Sequence, residues 1–413
     1  MSAGAHQFGT RILAHADHLA QWTESPPGLT CTYLTPTHRA VAAQLREWMQ
    51  TAGMQTEIDA VGNVIGRYAS TDPHAKTLIV GSHYDTVRNA GKYDGRLGIL
   101  APLLVIEHLA ATKHRLPFHI ELIAFSEEEG VRYGTAYLGS SAVAGRFDVK
   151  LLDHRDAEGT SMRDLIRSTG VDPENIPKLA RKRENLLGYL EFHIEQGPVL
   201  LEKNLPVGIV TAIAGCVRYL LTLTGKAGHA GTVPMSARHD AAAAAAEIVL
   251  FVERRCGQDT GLVGTVGQLS VPNGAINVIP GTCELSLDIR ADDEKKRDAT
   301  VADVFAEIAA ICKRRGITLQ STEVLRTPVV VCSPKMRERL AASVSRAGGV
   351  PLDLPSGAGH DAVMFDGITE IGMLFVRCGN GGISHSPLET ITAEDADTAT
   401  RILLDVILNY APR

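Results

Sequence analysis

In the first half of the chain, apolar residues recur at helical spacing in some segments and form short continuous runs in others. Residues Ala40 to Met54 repeat apolar side chains at helical spacing, whereas Thr77 to Val80 and His119 to Phe125 are short apolar runs typical of buried strands. A longer apolar run, Gly95 to Ala111, predicts a buried helix, and Tyr189 to Ile194 predicts another strand. Strands and helices that alternate in this order favour an α/β fold with a mainly parallel sheet.

The middle of the chain follows a different order. Its segments predict the sequence β-α-β-β-α-β, which is the ferredoxin-like pattern. They are Val217 to Thr224, Ser236 to Arg255, Gly264 to Val271, Thr282 to Arg290, Asp293 to Arg315 and Ile317 to Val324. We therefore expect an inserted ferredoxin-like α+β lid domain at residues 215–326. Residues 1–214 and 327–413 would form the mainly parallel-sheet catalytic domain around it.

Composition and charge narrow the class of protein. The 413 residues carry 41 basic and 47 acidic side chains, and this balance argues against a nucleic-acid partner. The seven cysteines are odd in number and form no C-x-x-C pair, so a disulfide framework is not expected. The N-terminal segment Met1 to Trp22 has no unbroken apolar core, and no apolar stretch is long enough to span a membrane. We expect a cytoplasmic protein.

Acidic and histidine side chains follow the predicted strands. His83 and Asp85 come directly after the Thr77 to Val80 strand, and Asp94 precedes the buried helix. In open α/β sheets, ligands bind at the carboxyl ends of strands, so these three residues are candidates for a binding site. A histidine satisfied within a turn and an aspartate that caps a helix are the ordinary alternatives.

Three consecutive glutamates, Glu127 to Glu129, follow the strand that ends at Phe125. A solvated charge run is the usual explanation of such a triplet, but it fits poorly at the end of a buried strand. Carboxylates held together repel one another, so a raised pKa or a bound cation is expected. One of the three could then act as a general base, although the spacing does not say which.

Two more histidines occupy similar positions, His193 within a strand and His385 in a glycine-rich loop. Each alone is more often structural than functional. Together with the carboxylates above, they form the mixture of ligands that zinc or manganese prefers.

The chain resembles the amidase, or hydantoinase/carbamoylase, branch of the dinuclear-metal aminoacylase and carboxypeptidase superfamily. That branch contains N-carbamoyl-L-amino acid hydrolases, allantoate amidohydrolases and β-ureidopropionases. The resemblance covers nearly the whole chain and is carried by ordered motifs. They are Gly81 to Val87, Tyr93 to Gly98, Glu127 to Gly130, Glu191 to Glu202, Ala230 to Ala241, Asn277 to Gly281, Gly357 to Ala362 and Gly382 to Glu389.

The resemblance implies two divalent metal ions per subunit. In its terms, His83 and His193 bind one ion, and Glu129 and His385 bind the other. Asp94 bridges the two ions, and Glu128 is the general base. Zinc or manganese is expected, with cobalt or nickel as further possibilities, because these ligands suit all four.

The resemblance also implies roles outside the metal ligands. His229 lies in the lid motif, whose histidine steadies the oxyanion in the partner subunit of a homodimer. Gly228 and Val233 depart from the usual residues of this motif, which puts its local hydrogen bonding in question. Asn277 and Arg290 would hold the substrate carboxylate, although a structural ion pair is an alternative for Arg290. The other expected substrate contacts are Gln196, Gly359 and His360.

The expected activity is metal-dependent hydrolysis of a C–N bond in a small ureido acid. Allantoate amidohydrolase is the leading expectation, and N-carbamoyl-L-amino acid hydrolase or β-ureidopropionase is the alternative. An aminoacylase or peptidase comes third. An inactive relative that only binds would show missing ligands, and all five are present in the sequence.

Overall fold

The structure is a computed structural model and describes residues 7–410, so the start of the N-terminal segment discussed above lies outside it. The α-helices are α1 (Gln7–Leu19), α2 (Pro36–Thr51), α3 (Leu97–Ala111), α4 (Leu138–Val143), α5 (Met162–Ser168), α6 (Val199–Lys203), α7 (Ala241–Cys256), α8 (Glu294–Arg315), α9 (Pro334–Arg346) and α10 (Ala393–Leu408). The strands are β1 (Gln55–Ile58), β2 (Val64–Tyr68), β3 (Thr77–His83), β4 (His119–Phe125), β5 (Leu186–Ile194), β6 (Val207–Ile213), β7 (Gly215–Thr224), β8 (Gly228–His229), β9 (Leu262–Thr265), β10 (Leu269–Ser270), β11 (Val278–Ile279), β12 (Thr282–Ala291), β13 (Thr318–Arg326), β14 (Val330–Val331), β15 (Asp353–Ser356) and β16 (Ile371–Val376).

The chain divides into two compact units. Among the described residues, the first contains residues 7–211, 331–354 and 360–410, and the second contains residues 212–330 and 355–359. The expected insertion at residues 215–326 falls inside the second unit, whose limits differ by a few residues. The short segment 355–359, expected in the catalytic domain, groups with the second unit instead.

The first unit is built on a mixed sheet in the order β1-β2-β4-β3-β5-β16-β6, and β6 in turn pairs with β14 and β15. Its four central strands, β4, β3, β5 and β16, are mutually parallel, whereas β1, β2 and β6 join antiparallel. Every residue of β3, β4 and β16 is buried, as expected for parallel strands covered on both faces. The α/β expectation is confirmed.

Helix α3 shows how tightly this sheet is covered. It is apolar on nearly all sides, with Leu97, Leu100 and Leu104 fully buried. A side chain at Gly98 would place its Cβ 2.1 Å from the carbonyl oxygen of Phe192. The absence of a side chain at this position therefore lets the start of α3 lie directly against β5, next to His193.

The second unit has an antiparallel sheet in the order β10-β12-β7-β13, with β9 also paired to β12. Helices α7 and α8 cover one face, and the core between helices and sheet includes Val217, Ile248 and Ile308. The order of elements β7-α7-β9/β10-β12-α8-β13 is the ferredoxin-like arrangement that the middle of the chain predicts.

Two predicted elements of this unit have different limits in the structure. The helix predicted from Ser236 begins at Ala241, because the side chain of Asp240 accepts a hydrogen bond from the backbone N–H of Ala243 and caps the helix there. The strand predicted from Gly264 to Val271 is split into β9 and β10. Between them the N–H of Gln268 donates to the side chain of Ser286 rather than to a backbone carbonyl.

All seven cysteines have free thiols and are buried. Within residues 7–410, no helix combines the length and the hydropathy needed to cross a membrane.

Candidate metal centre

The candidate ligands follow the carboxyl ends of the central parallel strands. His83 is the last residue of β3, His193 is the last but one of β5, and Glu127 to Glu129 begin two residues after β4. His385 lies in the loop after β16. Parallel strands bring their carboxyl ends to one edge of the sheet, so a group spread over 300 residues of sequence meets in one place.

Asp94 lies at the middle of this group and is 2 % exposed. Its Oδ1 is 3.6 Å from Nε2 of His83 and 3.2 Å from Nε2 of His193. Its Oδ2 is 3.1 Å from Nε2 of His385, whose Nε2 is in turn 3.5 Å from Oε1 of Glu129. The two oxygens of one carboxylate thus face two different sets of potential ligands.

The imidazoles of the first set are oriented by backbone carbonyls. Nδ1 of His83 lies 3.1 Å from the carbonyl oxygen of Asp85, and Nδ1 of His193 lies 2.8 Å from that of Ile194. A carbonyl oxygen only accepts, so each Nδ1 carries the proton and donates it. The Nε2 lone pairs therefore face Asp94, the orientation in which an imidazole binds a metal.

The three consecutive glutamates have different surroundings. Glu127 adopts a left-handed backbone conformation (φ 52°), and its Oε1 accepts a hydrogen bond from the N–H of Arg132. Glu128 and Glu129 instead lie with His83 in a group whose ligand atoms are within 4.8 Å of one another. The N–H groups of both residues donate to the carboxylate of Asp85, which holds this loop in place.

Burial and mutual repulsion alter the pKa values of these carboxyl groups. Burial, together with the charge of Asp94, raises the pKa of Glu129 to about 7. Burial raises the pKa of Glu128 well above its usual range, and the neighbouring Glu129 adds to the effect. Burial alone would also raise the pKa of Asp94, but the adjacent imidazoles of His193, His385 and His83 hold it well below the ordinary value.

The donor set fits a pair of divalent cations. Oδ1 of Asp94 is buried and has no hydrogen-bond partner among the described residues, and the Nε2 atoms of His83 and His193 lie near it. Nε2 of His193 also accepts a hydrogen bond from the N–H of Gly95. Buried lone pairs and carboxylates that converge in this way need a positive charge between them. Imidazole and carboxylate ligands suit zinc and manganese alike.

The two expected substrate contacts of the first unit lie beside this centre. Nε2 of Gln196 is 3.1 Å from Oδ2 of Asp94 and 3.3 Å from Nε2 of His385. The ring of His360 packs edge-on against that of His193, with centroids 4.5 Å apart. Burial lowers the pKa of His360 well below its ordinary value, so this imidazole is neutral. Gly359 precedes it in the chain but groups with the second unit.

Two buried carboxylates behind the centre were not predicted as site residues from the sequence. Glu191 accepts hydrogen bonds from Ser82 and from the backbone of Ala362, and Glu389 accepts from the backbone of Asp94. Both residues fall within the motifs of the family resemblance. Their burial was the missing information, because an isolated glutamate in a sequence is usually a surface residue.

The remaining expected site residues belong to the second unit. His229 and Asn277 are exposed and adjacent, since the carbonyl oxygen of Asn277 accepts a hydrogen bond from the N–H of Ala230. Arg290 is partly buried. Its guanidinium donates to both carboxylate oxygens of Asp288 and to the carbonyl oxygen of Gly357. The ion pair considered as an alternative for Arg290 is therefore present.

Arg377 and Cys378 directly follow β16. The guanidinium of Arg377 donates two hydrogen bonds to the carboxylate of Asp395, so this side chain forms a structural ion pair. Sγ of Cys378 accepts a hydrogen bond from the N–H of Gln196, so this cysteine lies behind a side chain that contacts Asp94.

Comparison with known proteins agrees with this geometry. The sequence model of Peptidase family M20/M25/M40 matches residues 79–409. The chain is 39 % identical to an N-carbamoyl-L-amino acid amidohydrolase of Geobacillus stearothermophilus over 408 residues, 98 % of each protein. It is 36 % identical to allantoate deiminase 2 of Glycine max, covering 97 % of this chain and 89 % of the relative.

A solved structure from Burkholderia multivorans, described as an amidase of the hydantoinase/carbamoylase family, has the same fold. It superposes with a TM-score of 0.90 and 29 % identity, covering 98 % of both chains. The family match covers most of the chain, and two relatives are more than 35 % identical to it, so the family of this chain is assigned. The chain belongs to Peptidase family M20/M25/M40 and is an amidohydrolase of its hydantoinase/carbamoylase group.

Proposed function

We propose that this protein hydrolyses a C–N bond of a small ureido acid with the help of two divalent metal ions. The observation that carries the proposal is the placement of Asp94, whose two carboxylate oxygens face His83 and His193 on one side and His385 with Glu129 on the other. Zinc and manganese are the ions that fit these ligands best. When bound, the two ions polarise a carbonyl group and lower the pKa of a water molecule.

The residues of the chain supply the proton transfers. Glu128 accepts a proton from the attacking water and returns it to the leaving nitrogen. Its raised pKa favours the protonated form, from which the proton returns to the leaving nitrogen. Asp85 maintains the position of Glu128 through the backbone of the loop.

His229 is the proposed donor to the oxyanion that forms on the attacked carbonyl. Its Nδ1 accepts a hydrogen bond from the N–H of Gly231 at 3.0 Å. The neutral ring therefore carries its proton on Nε2, which makes that nitrogen a donor. A donor placed at a developing negative charge is worth about 100- to 1000-fold in rate.

We propose allantoate as the substrate, with N-carbamoyl-L-amino acids as the alternative. The stretch Thr30 to Pro36 resembles the allantoate-type members of the branch more than the carbamoylases. This stretch is mostly buried and supports the loop after β4, since the carbonyl oxygen of Tyr33 accepts a hydrogen bond from Arg132. The relatives do not decide between the substrates, because a carbamoylase and an allantoate deiminase are similarly distant.

A panel of substrates tests this choice. We expect a higher kcat/KM for allantoate than for the N-carbamoyl derivatives of Leu, Met or Phe, measured as ammonia release. Allantoate presents a polar ureido group as its second arm, and a pocket with hydrogen-bonding groups discriminates strongly against apolar analogues. The reverse order would assign the protein to the carbamoylases. N-acetyl amino acids and dipeptides complete the panel, because their hydrolysis without ammonia release would indicate an aminoacylase or peptidase.

We further propose that the protein works as a homodimer in which His229 completes the site of the partner subunit. Around His229 the second unit exposes apolar side chains, with Met235 78 % and Ile276 106 % exposed. Exposed apolar side chains that form a contiguous patch often mark an interface, and two-fold dimers are the commonest assembly.

Mixing two inactive variants tests the shared site. Glu128→Gln and His229→Ala homodimers are each expected to have little activity, but a mixed dimer contains one site with both residues intact. Random exchange of subunits should restore about one quarter of the wild-type activity, since half of the dimers are mixed and each has one active site. Mixed dimers without restored activity would show that His229 does not act across subunits.

A further inference from the structure

Glu389 connects two segments that carry proposed metal ligands. Its Oε1 accepts hydrogen bonds from the backbone N–H groups of Tyr93 and Asp94, at 2.8 and 3.1 Å. Its Oε2 accepts a hydrogen bond of 2.8 Å from the hydroxyl of Ser384, the residue before His385. One carboxylate thus joins the Asp94 segment to the His385 loop, which is almost 300 residues away in sequence.

The position of this carboxylate is closely determined. Glu389 is 2 % exposed, and the backbone of Gly91 lies directly against its side chain. A Cβ at position 91 would lie 2.3 Å from both Cδ and Oε1 of Glu389. Any side chain at position 91 would therefore displace the carboxylate from its three donors.

The two connected segments also meet through weaker contacts: the hydroxyl of Ser384 lies 3.4 Å from Oδ2 of Asp94, and Nε2 of Gln196 contacts both Asp94 and His385. Asp94 precedes the first turn of α3, and His385 has a left-handed backbone conformation (φ 54°) in its loop. A non-glycine residue in this conformation needs support from its surroundings. The bond from Ser384 to Glu389 is such a support, and it acts on the residue next to the strained one.

We propose that Glu389 is a positioning residue that sets the separation of Asp94 and His385, and so the affinity of the second metal position. This proposal rests on the metal centre proposed above. Glu389 touches neither substrate nor reacting atoms in this role. Its contribution is the fixed geometry of two ligands, and groups that orient metal ligands typically change metal affinity about 10- to 100-fold.

The experiment is a Zn²⁺ titration of the metal-free protein in competition with a chromophoric chelator. The wild type should show two binding steps. In Glu389→Gln, one acceptor oxygen is replaced by a donor, and we expect one step to weaken by about 10- to 100-fold. Gly91→Ala, which leaves Glu389 in the sequence but displaces it, should have the same effect. Ser384→Ala removes the hydroxyl that donates to Glu389 and lies 3.4 Å from Oδ2 of Asp94, but it leaves both backbone bonds to Glu389 in place, and it should weaken the same step to a smaller extent.

Asp59→Asn is the matched control. Asp59 is a buried carboxylate that also accepts two backbone N–H bonds, from Val61 and Asn63, but its hydrogen bonds reach no proposed ligand. Its variant should lower the melting temperature of the metal-free protein without changing either Zn²⁺ affinity.

Two results would overturn the proposal alone. One is unchanged Zn²⁺ binding in both Glu389→Gln and Gly91→Ala, and the other is an equal loss of affinity in the Asp59→Asn control. A wild type that takes up no Zn²⁺ would instead remove the metal centre itself, and this proposal with it.

Discussion

Replacement of Glu128 by glutamine is expected to reduce kcat by at least about 100-fold while both metal ions stay bound. Glutamine has the size of glutamate but cannot accept a proton. The side chain lies with His83 and Glu129, so the attacking water would lose the base proposed to accept its proton. The measurement is steady-state ammonia release, with metal content determined on the same sample.

Glu127→Gln is the matched control for this variant. Glu127 is adjacent in sequence and equally buried, but its Oε1 accepts a hydrogen bond from the backbone of Arg132. Its replacement should affect stability more than turnover. An inactive Glu127→Gln protein beside an active Glu128→Gln protein would transfer the role of general base to Glu127.

Replacement of Asp94 by asparagine is expected to remove metal from the protein and to abolish activity. The change removes one negative charge and one of the two oxygens that face separate sets of imidazoles. We expect a loss of kcat/KM greater than the roughly 100-fold that a supporting residue typically costs, because a shared ligand is removed. Elemental analysis and ammonia release measure the two effects.

Chelation of the wild type should reproduce this loss, and added Zn²⁺ or Mn²⁺ should reverse it. Asp395→Asn is the control, since Asp395 is a buried carboxylate paired with Arg377. That variant should keep its metal content even if it melts at a lower temperature. Full activity after exhaustive chelation, or full metal content in Asp94→Asn, would contradict the proposed centre.

The periodicity of the sequence predicts the main elements of the fold because burial imposes it. The apolar runs before His83 and within Gly95 to Ala111 become a fully buried strand and a fully buried helix. The limits of elements in the second unit were less predictable. There, single polar side chains form hydrogen bonds that the hydrophobic periodicity does not predict. Asp240 caps the start of a helix, and Ser286 interrupts a predicted strand.

The candidate site was predictable in its members but not in its details. Strand ends indicate where His83 and His193 lie, and the structure brings their Nε2 atoms to the same oxygen of Asp94. Spacing alone did not choose between Glu127 and Glu128, and the assignment of Glu128 came from the family resemblance. In the structure the backbone turns the two carboxylates apart. Supporting residues such as Glu389 were hidden, because only packing shows what a glutamate contacts.

The position of β16 in the central sheet has a consequence for how the chain is made. Strand β5 pairs with β3 on one side and with β16 on the other, and the entire second unit is encoded between β5 and β16. During synthesis, the apolar edge of β5 stays unpaired until the inserted unit and then β16 have been translated. An unpaired apolar edge is the kind of surface on which nascent chains associate. We therefore expect newly made protein to mature slowly and to depend on chaperones. The cause would be the order of the segments along the chain, which the folded structure does not reveal.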